Sequence, residues 1–88
     1  MNFEWDLDKQ RTNRRKHGIE LADAVAVFQD SQAATVEDRA HDEQRFATIG
    51  LDAFGRVLVV VYAYREPATL RIISARKADA TERKQYGT

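Results

Sequence analysis

The sequence has no cysteine among its 88 residues, which excludes disulfide bonds and thiolate metal sites. Its apolar runs are all far shorter than the roughly 18 residues that a membrane-spanning helix needs. The N-terminal segment MNFEWDLDKQ is polar and acidic, without the apolar stretch that is typical of a secretion signal. These absences predict a soluble cytoplasmic protein that is not associated with a membrane.

The length and composition fit one small folded domain that spans residues 1–88. The hydrophobic fraction is 43%, as in globular chains, and the charged fraction of 32% is above the usual level of about a quarter. Because a domain of this size buries little surface, its stability alone is marginal, and this favours a partner subunit.

The formal net charge is zero, but the charges are unevenly distributed along the chain. Residues 1–17 carry five Lys and Arg against three Asp and Glu, residues 18–55 carry two against eight, and residues 56–88 carry seven against three. If the two basic ends meet in the fold, they form a basic face that suggests a polyanionic partner. A dipolar surface without a dedicated partner explains the same charges equally well.

Two helices are predicted near the N-terminus. Asp6 or Asp8 can cap a polar helix that runs to His17, and Gly18 then stands where helices commonly end. Because Leu7 is its one apolar residue, this helix must lie on the surface or pack through side-chain stems. A second helix over residues 21–28 places four apolar residues on one face: Leu21, Ala24, Val25 and Phe28.

Five segments are predicted to be strands, namely residues 3–5, 35–37, 45–51, 57–64 and 70–75. Residues 79–86 consist of good helix formers and predict a closing helix. Short loops between the later strands favour antiparallel neighbours. The predicted fold is therefore α+β, with two N-terminal helices packed on an antiparallel sheet and a C-terminal helix.

Histidine is the first candidate for chemistry, and His17 and His41 are its two occurrences. His41 stands among acidic residues, and a solvated acidic loop explains that cluster without a metal ion. His17 follows three basic residues at the end of the first helix, where it can oppose the helix dipole or transfer a proton. We predict no metal site and no cofactor.

The second candidate is the basic segment RIISARKADATERKQY near the C-terminus. Strict alternation along its strand places Arg71 on one side and Arg76 on the other. One of them then lies on a functional or partner surface, unless both reach water from the strand ends. Arg83 and Tyr86 are neighbours on the closing helix, where they can hold a phosphate and stack a base, or cover the core.

Several segments together resemble the BrnT family of toxins from bacterial type II toxin–antitoxin systems. They include FEWD, KHG, LVVVY, RIISARKA and the closing ER with Tyr86, and they extend from Phe3 to Tyr86. The resemblance implies a RelE-like fold and an endoribonuclease that blocks translation without a metal cofactor. It also implies neutralisation by a BrnA-type antitoxin, with operator DNA bound only through that antitoxin. Leu7 departs from the proline of many members, which affects the start of the helix and not the function.

Cleavage of RNA through its 2′-hydroxyl needs a base, an acid and cations beside the phosphate. Histidine suits the proton transfer, and arginine, which is always charged, suits phosphate stabilisation. We therefore predict the catalytic residues His17, Arg45, Arg71 and Arg76, and the RNA-binding residues Lys16, Lys77, Arg83 and Tyr86. Two other functions remain open: a non-catalytic RNA- or protein-binding module, and a detoxified toxin that only binds its antitoxin.

Overall fold

The computed structural model describes residues 1–39 and 42–87. In chain order these residues form β1 (Asn2–Glu4), α1 (Leu7–His17), α2 (Leu21–Ala24), a 3₁₀ helix (Val25–Gln29), β2 (Ala34–Asp38), β3 (Arg45–Leu51), β4 (Val57–Arg65), β5 (Thr69–Lys77) and α3 (Ala80–Gln85). The predicted bounds of β3 are confirmed, and those of the other strands differ by one or two residues at their ends. None of the helices in the described ranges is long and apolar enough to cross a membrane.

The strands form one sheet in the order β1-β5-β4-β3-β2, and the α+β class is confirmed. Consecutive strands from β2 to β5 pair antiparallel, as their short loops predict. β1 instead pairs parallel to β5, so the prediction of an antiparallel sheet is wrong for this strand. The physical reason is that short loops impose antiparallel pairing on consecutive strands, whereas most of the chain separates β1 from β5.

The hydrophobic core lies between one face of the sheet and the segment that contains α2 and the 3₁₀ helix. Its buried members are Ile19, Leu21, Ala24 and Val27 of that segment, with Leu58, Val60, Tyr62, Leu70, Ile72 and Ala75 of β4 and β5. Gly50 of β3 allows the close approach, because a Cβ atom added there would lie 2.9 Å from a methyl group of Val27. We call this side of the sheet the core face.

The second predicted helix is α-helical over its first four residues and continues as a 3₁₀ helix. Leu21, Ala24 and Val27 are fully buried, and their three-residue spacing is that of a 3₁₀ helix, whose side chains at i and i+3 align. Val25 and Phe28, which were predicted on the same face, are partly buried and pack at the border of the core. The β-branched and aromatic residues of this segment are weak α-helix formers, so packing decides its geometry.

Both ends of α1 have the predicted caps. The side chain of Asp6 accepts a hydrogen bond of 2.7 Å from the backbone N–H of Asp8, which starts the helix. Gly18 has a φ of 69° and donates its N–H to the carbonyl of Arg14, which ends it.

α1 is attached to the edge of β5 through one buried amide. The Asn13 side chain, which is 3% exposed, donates to the carbonyl oxygens of Ala75 at 2.8 Å and Ile19 at 2.9 Å. Its Oδ1 accepts from the N–H of Ala75 at 2.9 Å. β1 pairs only with the first residues of β5. Beyond the end of β1, the amide of Asn13 forms hydrogen bonds with the backbone of β5 that a neighbouring strand would otherwise form.

Candidate functional site

The side of the sheet opposite the core face, which we call the outer face, carries charged side chains around an apolar centre. Cross-strand partners share a face, so the register assigns its members: Arg45, Ala47 and Ile49 of β3, Val59, Val61, Ala63 and Arg65 of β4, Arg71, Ser74 and Arg76 of β5, and Glu4 of β1. Arginines thus lie on three of its strands.

A β-bulge in β5 decides which arginines share the outer face. Val61 pairs with Ser74 and Tyr62 pairs with Ile72, so the register skips Ile73. This extra residue reverses the alternation, because Ile72 faces the core before it and Ala75 faces the core after it. Arg71 and Arg76 therefore lie on the same face, and the prediction of one arginine on each face is wrong.

The register also gives the spacing of the predicted catalytic arginines. Phe46 pairs with Tyr62, and Ala63 pairs with Arg71, so Arg45 and Arg71 flank β4 at nearly the same level. With neighbouring strands about 4.8 Å apart, their backbones are separated by roughly 10 Å. Arg76 lies further along β5, roughly 15 Å from Arg71 at about 3.3 Å per residue. The three side chains can therefore bind one extended polyanion, such as a nucleic acid strand.

All four arginines named on the outer face are paired with a carboxylate. Glu43 lies between Arg45 and Arg65, with Arg45 Nε 3.4 Å from its Oε1 and Arg65 Nη2 3.1 Å from its Oε2. Arg71 Nη1 is 3.3 Å from Glu4 Oε2. These pairs are loose and partly exposed, so each contributes at most about 1 kcal/mol and an incoming phosphate can compete with it.

Arg76 is paired much more closely. Its Nη1 and Nη2 donate to the two carboxylate oxygens of Glu82 in α3, both at 2.7 Å. The hydrogen bond from Arg76, helped by the N–H of Asp79, lowers the pKa of Glu82 from 4.5 to about 2. Glu82 is therefore charged at every physiological pH.

A groove of about 290 Å³ runs between α1 and the bulged part of β5. It is lined by Asp8, Lys9, Thr12, Asn13, Lys16 and His17 of α1 and by Ile73 and Ser74 of β5. Ser74 belongs to both the groove and the outer face, so the two surfaces adjoin at the β-bulge.

The groove brings together two of the residues predicted from sequence, Lys16 and His17, both of which are exposed. Sequence reasoning missed Lys9 and Thr12, which line the same groove. The signal was present, because positions 9, 12 and 16 follow the three- and four-residue spacing of one helix face. Two lysines here provide cationic donors, and the histidine provides a side chain of the type that transfers protons.

The remaining predicted residues lie toward the C-terminal end. Lys77 pairs with Leu58, which belongs to the core face, so Lys77 is on the other side of the sheet from Arg76. Arg83 Nη1 donates to the carbonyl of Ala78 at 2.8 Å, and the Tyr86 hydroxyl donates to Asp30 Oδ2 at 2.6 Å. These two side chains therefore also anchor the C-terminal segment to the domain. The hydrogen bond to Asp30 raises the pKa of Tyr86.

Within residues 1–39 and 42–87, His, Asp and Glu form no group of three that could hold a metal ion. His41, which the sequence places among acidic residues, lies outside the described ranges.

Comparison with known proteins finds a family model and a solved structure that agree with this architecture. A family model described as the ribonuclease toxin BrnT of type II toxin–antitoxin systems matches residues 5–82. The crystal structure at 1.1 Å of the ribonuclease toxin BrnT from Brucella abortus has a TM-score of 0.74 and 29% sequence identity. That match covers 90% of this chain and 97% of the Brucella chain. A search of curated protein sequences found no match.

The family match begins after β1 and ends within α3, so it includes the groove and the strands β2 to β5. It therefore agrees with the family that the sequence motifs resemble. This chain belongs to the BrnT family, the ribonuclease toxins of type II toxin–antitoxin systems.

Proposed function

We propose that this chain is an endoribonuclease toxin that cleaves RNA without a metal ion and so inhibits translation. The observation that carries the proposal is the β-bulge at Ile73. It brings Arg71 and Arg76 to the face that also carries Arg45, beside the groove that contains His17. Cations for phosphate and a group for proton transfer are thus available on adjoining surfaces.

In the proposed reaction, the 2′-oxygen of RNA attacks the neighbouring phosphorus and loses its proton to a base. The bond from phosphorus to the 5′-oxygen breaks, and that oxygen leaves with a proton from an acid. The products are a 2′,3′-cyclic phosphate and a 5′-hydroxyl. His17 would transfer a proton. Of Arg45, Arg71 and Arg76, those that reach the reacting phosphate would stabilise the charge that builds up on it, and the others would hold the neighbouring phosphates.

The other predicted side chains would bind RNA outside the reacting phosphate. Lys16, with Lys9, would hold the backbone along the groove. Lys77, Arg83 and Tyr86 would contact RNA that extends past the C-terminal end of the sheet. Proton transfer by histidine and charge stabilisation by arginine are sufficient for this reaction, which is the reason for proposing that it needs no metal.

The test is to incubate purified protein with RNA in excess EDTA and to analyse the ends of the products. We expect cleavage with 2′,3′-cyclic phosphate ends, and much slower cleavage by Arg76→Ala. Cleavage that stops in EDTA and returns with added Mg²⁺ would contradict metal independence. Intact RNA together with normal antitoxin binding would instead support the detoxified toxin, and RNA binding without cleavage the non-catalytic module.

The proposed partner is a BrnA-type antitoxin that presents acidic and apolar side chains to the outer face, with operator DNA bound only through the antitoxin. Support comes from the arginines of the outer face, Arg45, Arg65, Arg71 and Arg76, which lie around the partly exposed Val61 of β4. We expect higher salt to slow association more than it speeds dissociation, because long-range attraction acts on the encounter. Association rates that are independent of ionic strength would contradict this docking mode.

Two finer parts of the proposal concern the fold and the place of action. We propose that the domain is RelE-like, with the segments of α1 and α2 as its two N-terminal helices. A toxin that stops translation acts where ribosomes are, so the proposed location is the cytoplasm. Toxicity of the chain when it is produced in bacteria without antitoxin tests this.

A further inference from the structure

α3 is held to the domain by polar contacts. Every residue from Ala80 to Gln85 is at least partly exposed, so apolar burial gives this six-residue helix little support. Its start is fixed by a capping box, in which Asp79 Oδ1 accepts from the N–H of Glu82 and Glu82 Oε1 accepts from the N–H of Asp79. Short polar helices are unstable alone, so these contacts and the pair with Arg76 keep α3 folded.

The pair between Arg76 and Glu82 uses a defined edge of the guanidinium group. Glu82 accepts from Nη1 and Nη2, which form the end of the fork. The side edge, formed by Nε and the second hydrogen of Nη2, has no partner among residues 1–39 and 42–87. Arg76 can therefore bind a phosphate through its side edge while Glu82 keeps the end edge.

Arg76 differs in this respect from the other two arginines. Arg45 reaches Glu43 through Nε at 3.4 Å, and Arg71 reaches Glu4 through Nη1 at 3.3 Å and Asp6 through Nη2 at 3.9 Å. These long contacts hold the guanidinium loosely, whereas two contacts of 2.7 Å to one carboxylate fix its plane. The Arg76 side chain is still 42% exposed, so the fixed group remains accessible to a ligand.

We infer that Glu82 is a positioning residue, which holds Arg76 in a fixed orientation so that its side edge binds the reacting phosphate. The inference rests on the proposed ribonuclease function. It gives α3 a role in the reaction, because the capping box that folds α3 also places the carboxylate that orients Arg76. A fixed donor lowers the barrier more than a mobile one, since it need not be ordered during the reaction.

The test compares Glu82→Gln with wild type in kcat and KM on a short RNA. Glutamine keeps the acceptor that the capping box needs, so α3 stays folded, but it loses the bidentate charged pair. We expect kcat to fall roughly tenfold to a hundredfold with little change in KM. Glu66→Gln is the matched control, because it removes one negative charge from an exposed glutamate that has no ion pair among the described residues.

Two further measurements make the test specific for Arg76. In the Arg76→Ala background, Glu82→Gln should lower kcat no further, because residues that act as a unit have non-additive effects. In NMR spectra, the Nη hydrogens of Arg76 that donate to Glu82, assigned by their loss in Arg76→Ala, should exchange slowly with water in wild type and faster in Glu82→Gln. This signal needs no RNA cleavage.

A kcat that is unchanged or higher in Glu82→Gln would overturn the inference, and a higher value would mean that Glu82 blocks Arg76. The same holds if the signals of the Nη hydrogens are unchanged. The proposed function fails separately, if wild type leaves RNA intact. In that case the exchange of the Nη hydrogens still decides whether Glu82 orients Arg76.

Discussion

The core face of the sheet carries Leu58, Val60 and Tyr62, which are almost fully buried, whereas the outer face carries Arg71 and Arg76, which are partly exposed and paired with carboxylates. A buried apolar side chain stabilises the fold by about 1.5–3 kcal/mol, and an exposed ion pair by at most about 1 kcal/mol. Stability therefore comes mainly from the core face. It follows that changes to the exposed side chains of the outer face and the groove should alter activity without unfolding the domain.

The largest expected effect on the functional side is the loss of His17. If this exposed groove residue transfers a proton, His17→Gln should slow RNA cleavage by about 10²–10⁴, because glutamine forms hydrogen bonds but does not titrate. The free energy of unfolding should fall by only about 0.3–1 kcal/mol, the usual value of a cation at a helix C-terminus. Cleavage rates and urea denaturation of the same preparations measure both quantities.

Arg15→Gln is the control for this substitution, since Arg15 is the exposed neighbour in α1 that does not line the groove. Its cleavage rate should match that of wild type. A folded His17→Gln protein that cleaves RNA at the wild-type rate would remove His17 from the mechanism. The groove would then bind RNA without taking part in proton transfer.

The next effect in size concerns the arginines of the outer face. At least one of Arg45→Ala, Arg71→Ala and Arg76→Ala should slow cleavage about a hundredfold or more, because charge stabilisation in the transition state is lost. The free energy of unfolding should fall by at most about 1 kcal/mol, since these side chains form partly exposed ion pairs. Lys84→Ala removes an exposed positive charge elsewhere and serves as control. Full toxicity in bacteria for all three variants, at normal expression, would refute the assignment.

Asn13 tests the other half of the comparison, because its buried side chain stabilises the fold. Asn13→Ala should lower the free energy of unfolding by about 3 kcal/mol, because the buried backbone groups of Ala75 and Ile19 lose their partners. Thr12→Ala, at the exposed neighbouring position, should cost less than about 0.5 kcal/mol. Denaturant titration measures both. A cost below about 1 kcal/mol for Asn13→Ala would mean that α1 is held mainly by other contacts.

Elements with strong local signals could be predicted from the sequence. The dense apolar run of β4, the cap of Asp6 and the stop at Gly18 depend on neighbouring residues, and the structure has all three. The pairing of β1 with β5 could not be predicted, because it joins segments at opposite ends of the chain through backbone hydrogen bonds that leave no side-chain pattern.

The candidate site was harder to predict for the same reason. His17 and Lys16 could be predicted as site residues from their position at a helix end. The shared face of Arg71 and Arg76 could not, because it depends on a β-bulge, which is defined only by the pairing of β5 with β4. Asn13 stands in a polar helix, where an asparagine is common. Its structural role arises from its hydrogen bonds with the backbone of Ala75, which the local sequence does not show. Register and long-range contacts, which a single sequence does not encode locally, account for these failures.

The smallest expected effect concerns Glu82, which contributes both to stability and to the outer face, because it caps α3 and pairs with Arg76. Its pKa is lowered from 4.5 to about 2 in the folded protein, chiefly by the hydrogen bond from Arg76. A lowered folded-state pKa means that the charged form stabilises the fold. This stabilisation is complete above pH 4.5 and is lost as the pH falls through about 2.

Wild type should therefore exceed Glu82→Gln in stability by on the order of 1 kcal/mol at pH 7, a value kept low by the partial exposure of the pair. The difference should shrink steadily as the pH is lowered from 4.5 toward 2. Every other carboxylate titrates in both proteins, so its contribution cancels in the difference between their denaturation curves. Glu66→Gln, which leaves the pair of Arg76 and Glu82 intact, is the control. A difference between wild type and Glu82→Gln that stays constant down to pH 2 would show that Glu82 stabilises α3 by its hydrogen bonds alone, without the charged pair to Arg76.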